Sequence, residues 1–167
     1  MKYKIEYLNC GDVLLNSLKS EIDEIKRVIQ SIEWNPKFTF ISSDKTFEHQ
    51  TAYNKKFEIE FSKYNWDLKP MLSSNPKLIG DFQKDLVFVE VQFGNSATLY
   101  RDFYKFQYGH QKGLLSLGVL IVPNKPLTFF PDRASSISNM AEFDLALRYF
   151  TILPISVPTI LIGLSCD

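Results

Sequence analysis

Three short apolar segments in the second half of the 167-residue chain alternate with stretches of helical periodicity. Segment 86–93 is apolar on both faces near its start, which is typical of a strand in the interior of a sheet. The apolar segments predict strands and the stretches between them predict helices, over 86–93, 96–110, 114–122, 136–150 and 157–164. This βαβαβ order predicts an α/β fold in which helices cover a central sheet.

The first half predicts two helices and a loop. Apolar residues recur at steps of three and four over 12–33, where Asp12 is a suitable N-cap and Pro36 follows the end. A second helix is predicted over 46–64. Residues 66–81 contain two prolines among serines and asparagine, which indicates a loop.

Length and composition limit the class of protein. A length of 167 residues suits one domain, 1–167, and 45% hydrophobic residues with 14 Phe predict a folded core. Lys and Arg balance Asp and Glu at 19 each, so a polyanion would have to meet a local basic patch. No apolar run has transmembrane length and no signal peptide is recognisable, so we expect a soluble, cytoplasmic protein without a membrane partner.

Polar side chains interrupt the apolar segment 86–93. Glu90 and Gln92 share one face of this strand. A turn is predicted around 83–85, and the carboxylate of Asp81 meets Glu90 if residues 78–82 pair with the strand that follows. Carboxylates held this close repel each other, and a divalent cation such as Mg²⁺ relieves the repulsion. The alternative is structural: Asp81 in a turn, Glu90 in a salt bridge and Gln92 hydrogen-bonded within the sheet.

The string VEVQFGN over 89–95, with Asp81 at the proper distance before it, resembles the active-site strand of the BglII/BstYI family of type II restriction endonucleases. That family belongs to the PD-(D/E)xK nucleases and has Gln where most of them have Lys. A strand-like piece and long helix at the start, Trp66 in a loop, a serine pair before a helix and the closing VPTILIGL fall in the order that the family shows. The resemblance implies a restriction-endonuclease-like core, a central mixed β-sheet flanked by helices.

The resemblance also implies roles for single residues. Asp81 and Glu90 would be metal ligands together with the main-chain carbonyl of Val91, and Gln92 would position the attacking water. An Asn amide both donates and accepts, which suits base recognition in the major groove. The implied DNA contacts are Lys84, Gly94, Asn95, Arg133, Ser135 and Ser136, with an ordinary place in a turn as the alternative for Lys84.

At the level of the whole protein, the resemblance implies a homodimer that cleaves double-stranded DNA at a palindrome with a GATC core. Mg²⁺ would be the cofactor, with Mn²⁺ as a substitute, and a cognate DNA methyltransferase would be present in the same cell. Two alternatives stay open: a repair or junction nuclease of the same fold, and a catalytically silent DNA-binding domain. The candidates for a local basic patch are Lys55, Lys56, Lys69, Lys77, Lys84, Arg101, Lys112, Lys125 and Arg133.

Overall fold

A six-stranded mixed sheet forms the centre of the computed structural model, which describes residues 1–42, 44–133 and 137–166. The strands are β1 Lys2–Leu8, β2 Thr39–Ser42, β3 Lys45–Glu48, β4 Asp67–Leu68, β5 Met71–Ser74, β6 Lys77–Ile79, β7 Phe82–Lys84, β8 Val87–Val91, β9 Leu117–Pro123 and β10 Thr159–Ser165. The helices are α1 Asp12–Ser17, α2 Lys19–Ser31, α3 His49–Ser62, α4 Thr98–Gln111, α5 Pro126–Phe129 and α6 Phe143–Ile152.

The order of the strands across the sheet is β1-β10-β9-β8-β7-β4. Strands β8, β9 and β10 are parallel, as a βαβαβ connection requires, whereas β1, β7 and β4 pair antiparallel with their neighbours. The strand-like piece at the start of the chain is β1, which extends the sheet beyond β10. The prediction of an α/β fold with a central mixed sheet flanked by helices is confirmed.

The two faces of the sheet carry separate apolar cores, and β8 contributes to both. Val87, Val89 and Val91 pack with α2 and α3 on one face, while Phe88 packs with α4 and α6 on the other. All five residues of β8 are buried. Glu90 lies on the same face as Phe88, so its carboxylate is placed under α4 inside the protein.

Several predicted element boundaries are wrong. The helix predicted over 12–33 is divided at Leu18, whose φ of −108° departs from helical geometry, into α1 and α2. The helix predicted over 46–64 begins only at His49, because the preceding residues pair as β3 with β2. The loop predicted over 66–81 contains the β5–β6 hairpin, since its turn residues Asn75-Pro76 connect two short strands.

The loop after β9 and the last predicted helix also differ from expectation. The sequence NKPLTFFPDRASS over 124–136 predicts a loop, but helix α5 and a 3-10 turn, Pro131–Arg133, occupy part of it. Helix α6 begins at Phe143 instead of residue 136, because Met140 pairs with Asn95 in an isolated β-bridge. None of the helices in the described part of the chain has the length and hydropathy that a bilayer crossing requires.

Candidate active site

Asp81 lies against the strand that carries Glu90, as the sequence predicts. The short strand β7 follows Asp81 and pairs antiparallel with β8, with Phe82 opposite Val89. The backbone N–H of Val91 donates to Oδ2 of Asp81 at 2.9 Å, which fixes this carboxylate at the end of β8. The pairing is made by 82–84 alone, because the residues around Leu78 belong to the β5–β6 hairpin.

A buried lysine neutralises part of the charge of Glu90. Nζ of Lys105, on α4, donates to Oε1 of Glu90 at 2.8 Å and to Oδ1 of Asp102 at 3.0 Å. The exposed fractions of the three side chains are 5% for Glu90, 2% for Asp102 and 7% for Lys105. The salt bridge that the structural alternative anticipated for Glu90 is therefore present, and it lies beside Asp81 in the interior of the protein.

The amide of Gln92 is held on both sides. Its Nε2 donates to Oδ2 of Asp102 at 2.8 Å, and its Oε1 accepts from the backbone N–H of Gly94 at 2.8 Å. Gln92 is bonded to α4 and to its own loop, whereas the structural alternative placed these bonds within the sheet. The side chain is half-buried at the end of β8.

The carboxylates in this cluster influence one another. Burial raises the pKa of Glu90 well above its ordinary value, and the neighbouring carboxylates Asp81 and Asp102 raise it further. Burial lowers the pKa of the Lys105 ammonium, but Glu90 and Asp102 raise it by more, so Lys105 is charged. Burial and the two neighbouring carboxylates thus both disfavour the charged form of Glu90, and the Lys105 ammonium opposes them only in part.

A second lysine lies on the outer side of Asp81. Nζ of Lys69 donates to Oδ1 of Asp81 at 2.8 Å and lies 3.6 Å from Oε1 of Glu58 on α3. Unlike Lys105, this side chain is half exposed, at 51%. Both oxygens of Asp81 therefore have a partner: Oδ2 accepts from the backbone N–H of Val91, and Oδ1 accepts from Lys69 on the solvent side.

The donor set fits a hard divalent cation that retains open coordination positions. Asp81 and Glu90 would supply carboxylate oxygens, and a cation would relieve the repulsion between Glu90 and the neighbouring carboxylates. Across residues 1–42, 44–133 and 137–166, no group of three or more His, Cys, Asp or Glu has an arrangement that could hold a metal ion. A cation bound by two carboxylates completes its shell with backbone oxygen, water or phosphate, as Mg²⁺ does in proteins.

Three of the residues predicted to contact DNA lie near the end of β8. Gly94 and Asn95 follow β8 directly, where Asn95 is exposed and its Oδ1 accepts from Ala97 N at 2.8 Å. Arg133 is brought near them by Gln50, which accepts from the Arg133 guanidinium and donates to Phe93 O at 2.6 Å. Ser135 and Ser136 lie outside the described residues.

The structure does not bring Lys84 to this cluster. Lys84 pairs with Val87 and lies on the α2 side of the sheet, opposite the face of Glu90. Its Nζ donates to both carboxylate oxygens of Glu24, at 2.8 and 2.9 Å. Other candidates for a basic patch are also in ion pairs with neighbouring carboxylates: Lys55, Lys56 and Lys69.

The sequence interpretation missed Asp102 and Lys105. Asp102 stands three residues after Leu99 and four before Phe106, so it belongs to the buried stripe of α4. A carboxylate on such a stripe needs a buried partner, and Lys105 at i+3 supplies it. That signal was available in the sequence, but it does not reveal that the partner also reaches Glu90.

Comparisons with known proteins concern the family and the fold. The family model described as restriction endonuclease BglII/BglIII matches residues 3–164. No curated protein matches the chain. Among solved structures, the crystal structure of restriction endonuclease BglII complexed with a DNA 16-mer is similar to it with a TM-score of 0.79 at 20% identity, covering 98% of this chain and 76% of that one.

Proposed function

We propose that this chain, which belongs to the restriction endonuclease BglII/BglIII family and is a type II site-specific endonuclease, cleaves double-stranded DNA with Mg²⁺. The proposed target is a palindrome with a GATC core. The observation that carries the proposal is the position of Asp81, bonded to the backbone N–H of Val91 on the strand of Glu90. Asp81 immediately precedes β7, the neighbour of β8 in the sheet, and its carboxylate interacts electrostatically with that of Glu90 near the end of β8.

Asp81, Glu90 and the main-chain carbonyl of Val91 would hold the cation, and Mn²⁺ is expected to substitute for Mg²⁺. When bound, Mg²⁺ supplies polarisation of a phosphoryl oxygen, acidification of a water and compensation of charge on the leaving oxygen. The bond of Asp81 to Val91 N keeps its carboxylate in register with Glu90. The salt bridge to Lys105 keeps the Glu90 carboxylate from turning away.

Gln92 would position the attacking water. A neutral amide neither takes up a proton nor supplies positive charge, so the proton of the water passes to solvent or to a substrate phosphate. With Nε2 bonded to Asp102 and Oε1 bonded to Gly94 N, the amide keeps one N–H and one lone pair for the water. Attack by this water would form a bond from its oxygen to phosphorus and break the bond from phosphorus to the 3′ oxygen. The 3′ oxygen takes up a proton from solvent, so the products carry a 5′ phosphate and a 3′ hydroxyl.

The bases would be read next to the site of cleavage. Asn95 is exposed directly after Gly94, and its amide can donate and accept at base edges in the major groove. Arg133, Ser135 and Ser136 would contact outer base pairs or phosphates. A DNA 16-mer is bound to BglII in the similar crystal structure, which supports duplex DNA as the partner here. Lys84 would contact a phosphate only if it left Glu24.

A palindromic target requires two matched half-sites, so we propose a homodimer. The exposed aromatic side chains Tyr100 and Tyr104, at 50% and 53%, support α4 as part of the subunit interface. A restriction enzyme also needs a cognate DNA methyltransferase to protect the host genome, and such a partner is expected in the same cytoplasm.

Digestion of a plasmid of known sequence with and without Mg²⁺, followed by mapping of the ends, tests the proposal. We expect cuts at one short palindrome containing GATC, with 5′ phosphates, and none without a divalent cation. Cleavage confined to branched DNA would instead indicate a junction nuclease. A plasmid that stays intact under all salt and metal conditions while DNA is bound would indicate a silent binding domain.

A further inference from the structure

A continuous chain of hydrogen bonds connects the two ends of the candidate active site through helix α4. It runs from Oε1 of Glu90 to Lys105 at 2.8 Å, on to Asp102 at 3.0 Å, and from Asp102 to Gln92 at 2.8 Å. Oε1 of Gln92 then accepts from the backbone N–H of Gly94 at 2.8 Å. The chain thus begins at a proposed metal ligand and ends at the segment proposed to read bases.

We propose that Asp102 and Lys105 are positioning residues of the nuclease, which lock the amide of Gln92 in one orientation and couple it to Gly94. Neither side chain touches the substrate, because both are almost fully buried. The inference rests on the proposed function, in which Gln92 orients the attacking water. Gln92 has a neutral amide and brings no charge to the site. The fixed positive charge is that of Lys105 on α4.

The donors and acceptors along this chain of hydrogen bonds allow only one orientation of the Gln92 amide. A carboxylate only accepts hydrogen bonds and an ammonium only donates them, so Asp102 must present one oxygen to Lys105 and the other to Nε2 of Gln92. The backbone N–H of Gly94 is likewise only a donor, which requires Oε1 on the opposite side. A flipped amide would bring donor against donor at Gly94 and acceptor against acceptor at Asp102.

A purely structural role would not call for charged residues here. A buried ion pair is seldom more stabilising than well-packed apolar side chains of the same volume, because both ions lose hydration. The rest of the α4 stripe, including Leu99, Phe103 and Phe106, is apolar. Asp102 and Lys105 depart from that pattern only where α4 faces Glu90 and Gln92.

The absence of a side chain at Gly94 is part of the arrangement. A Cβ at this position would lie 2.7 Å from Oε1 of Gln92, and its next neighbours would be at 3.8 and 3.9 Å. The contact would therefore be with the end of one flexible side chain. Gly94→Ala should move the Gln92 amide and leave the surrounding backbone in place.

The first test uses metal-free protein. In Asp102→Asn the single oxygen of the new amide turns to the Lys105 ammonium, and its NH₂ group faces Nε2 of Gln92, so the bond to Gln92 is lost. The side-chain NH₂ signal of Gln92 in ¹H–¹⁵N spectra, assigned by its loss in Gln92→Ala, should shift. Glu60→Gln, which neutralises another buried carboxylate bonded to lysines, is the matched control and should leave that signal in place.

The second test is a double-mutant cycle on single-turnover cleavage with Mg²⁺. Gln92→Ala and Asp102→Asn should each lower the rate by about 100-fold, the effect of a misplacement of about 1 Å. If Asp102 acts through Gln92, the double variant should be within about threefold of the slower single variant. The double variant of Gly94→Ala and Gln92→Ala should likewise be within about threefold of the slower single variant. This second cycle tests the proposal even if Asp102→Asn does not fold.

The proposal would be overturned if, in both cycles, the rate loss of the double variant equalled the product of the two single losses. A Gln92 signal that is unchanged in Asp102→Asn would also overturn it. Failure of the proposed function has a different signature: the wild-type protein would not cut DNA. The Gln92 signal would still decide the positioning role in that case, because it is recorded without metal or DNA.

Discussion

The backbone N–H of Val91 donates a hydrogen bond to Oδ2 of Asp81 at 2.9 Å. This bond leaves Oδ1 of Asp81 toward solvent, where Lys69 binds it. Glu90 precedes Val91 and directs its carboxylate to the α4 side of the sheet. One residue at the end of β8 thereby connects the two carboxylates on which the proposed chemistry depends.

Lys69→Met should lower the Mg²⁺ concentration that cleavage requires. The Lys69 ammonium competes with a cation for Asp81, but half of its side chain is exposed, so its attraction is worth at most about 1 kcal/mol, or about fivefold. Single-turnover rates measured over a range of Mg²⁺ concentrations would show the shift. Lys45→Met, at an exposed lysine of β3, is the control. A higher Mg²⁺ requirement would mean that Lys69 acts on the DNA instead.

Glu60→Gln should destabilise the protein in a pH-dependent way. Burial raises the pKa of Glu60, but the ammonium groups of Lys56 and Lys63 lower it by more. Its contribution to stability is therefore complete above the ordinary pKa of roughly 4.3 and is lost as the pH falls through the lower folded-state pKa. Chemical denaturation should show a loss of about 1–3 kcal/mol at neutral pH that shrinks in acid. A loss independent of pH would exclude these ion pairs as its cause.

Gln50→Ala should relax sequence discrimination more than it slows cleavage. Gln50 joins Phe93 O at the end of the active-site strand to the guanidinium of Arg133. Loss of this connection should lower discrimination against sites with one altered outer base pair by about tenfold, within the usual cost of one mismatch. Competition cleavage of cognate and altered duplexes measures the ratio, with Gln30→Ala, an exposed glutamine of α2, as control. An unchanged ratio would separate Arg133 from recognition.

Tyr104→Arg should weaken the proposed homodimer. Tyr104 is half exposed on α4 and stacks on Tyr108, with ring centroids 6.3 Å apart. A charge placed inside an aromatic interface must be desolvated, so sedimentation should show a shift toward monomer and cleavage should fall with it. Val13→Arg, at an exposed apolar residue of α1, is the control. An unaltered dimer would place the interface elsewhere.

The central strands could be predicted from the sequence because burial on both faces gives continuous apolar segments, as β8 and β9 show. Asp81 and Glu90 could be paired because one antiparallel turn brings them together. Lys105 could not be assigned to Glu90, because their contact depends on how α4 crosses the sheet. The sequence predicts a helix where β3 lies, because residues 45–48 form a strand only by pairing with β2.

Glu90→Gln tests the central claim most directly, because it removes one charge and keeps the volume of a side chain at the heart of the cluster. The protein should still bind the duplex that carries its site, as a gel-shift experiment with Ca²⁺ in place of Mg²⁺ would show. Single-turnover cleavage of that duplex with Mg²⁺ should be abolished. Near-normal cutting by this variant would contradict the account and place the metal site elsewhere.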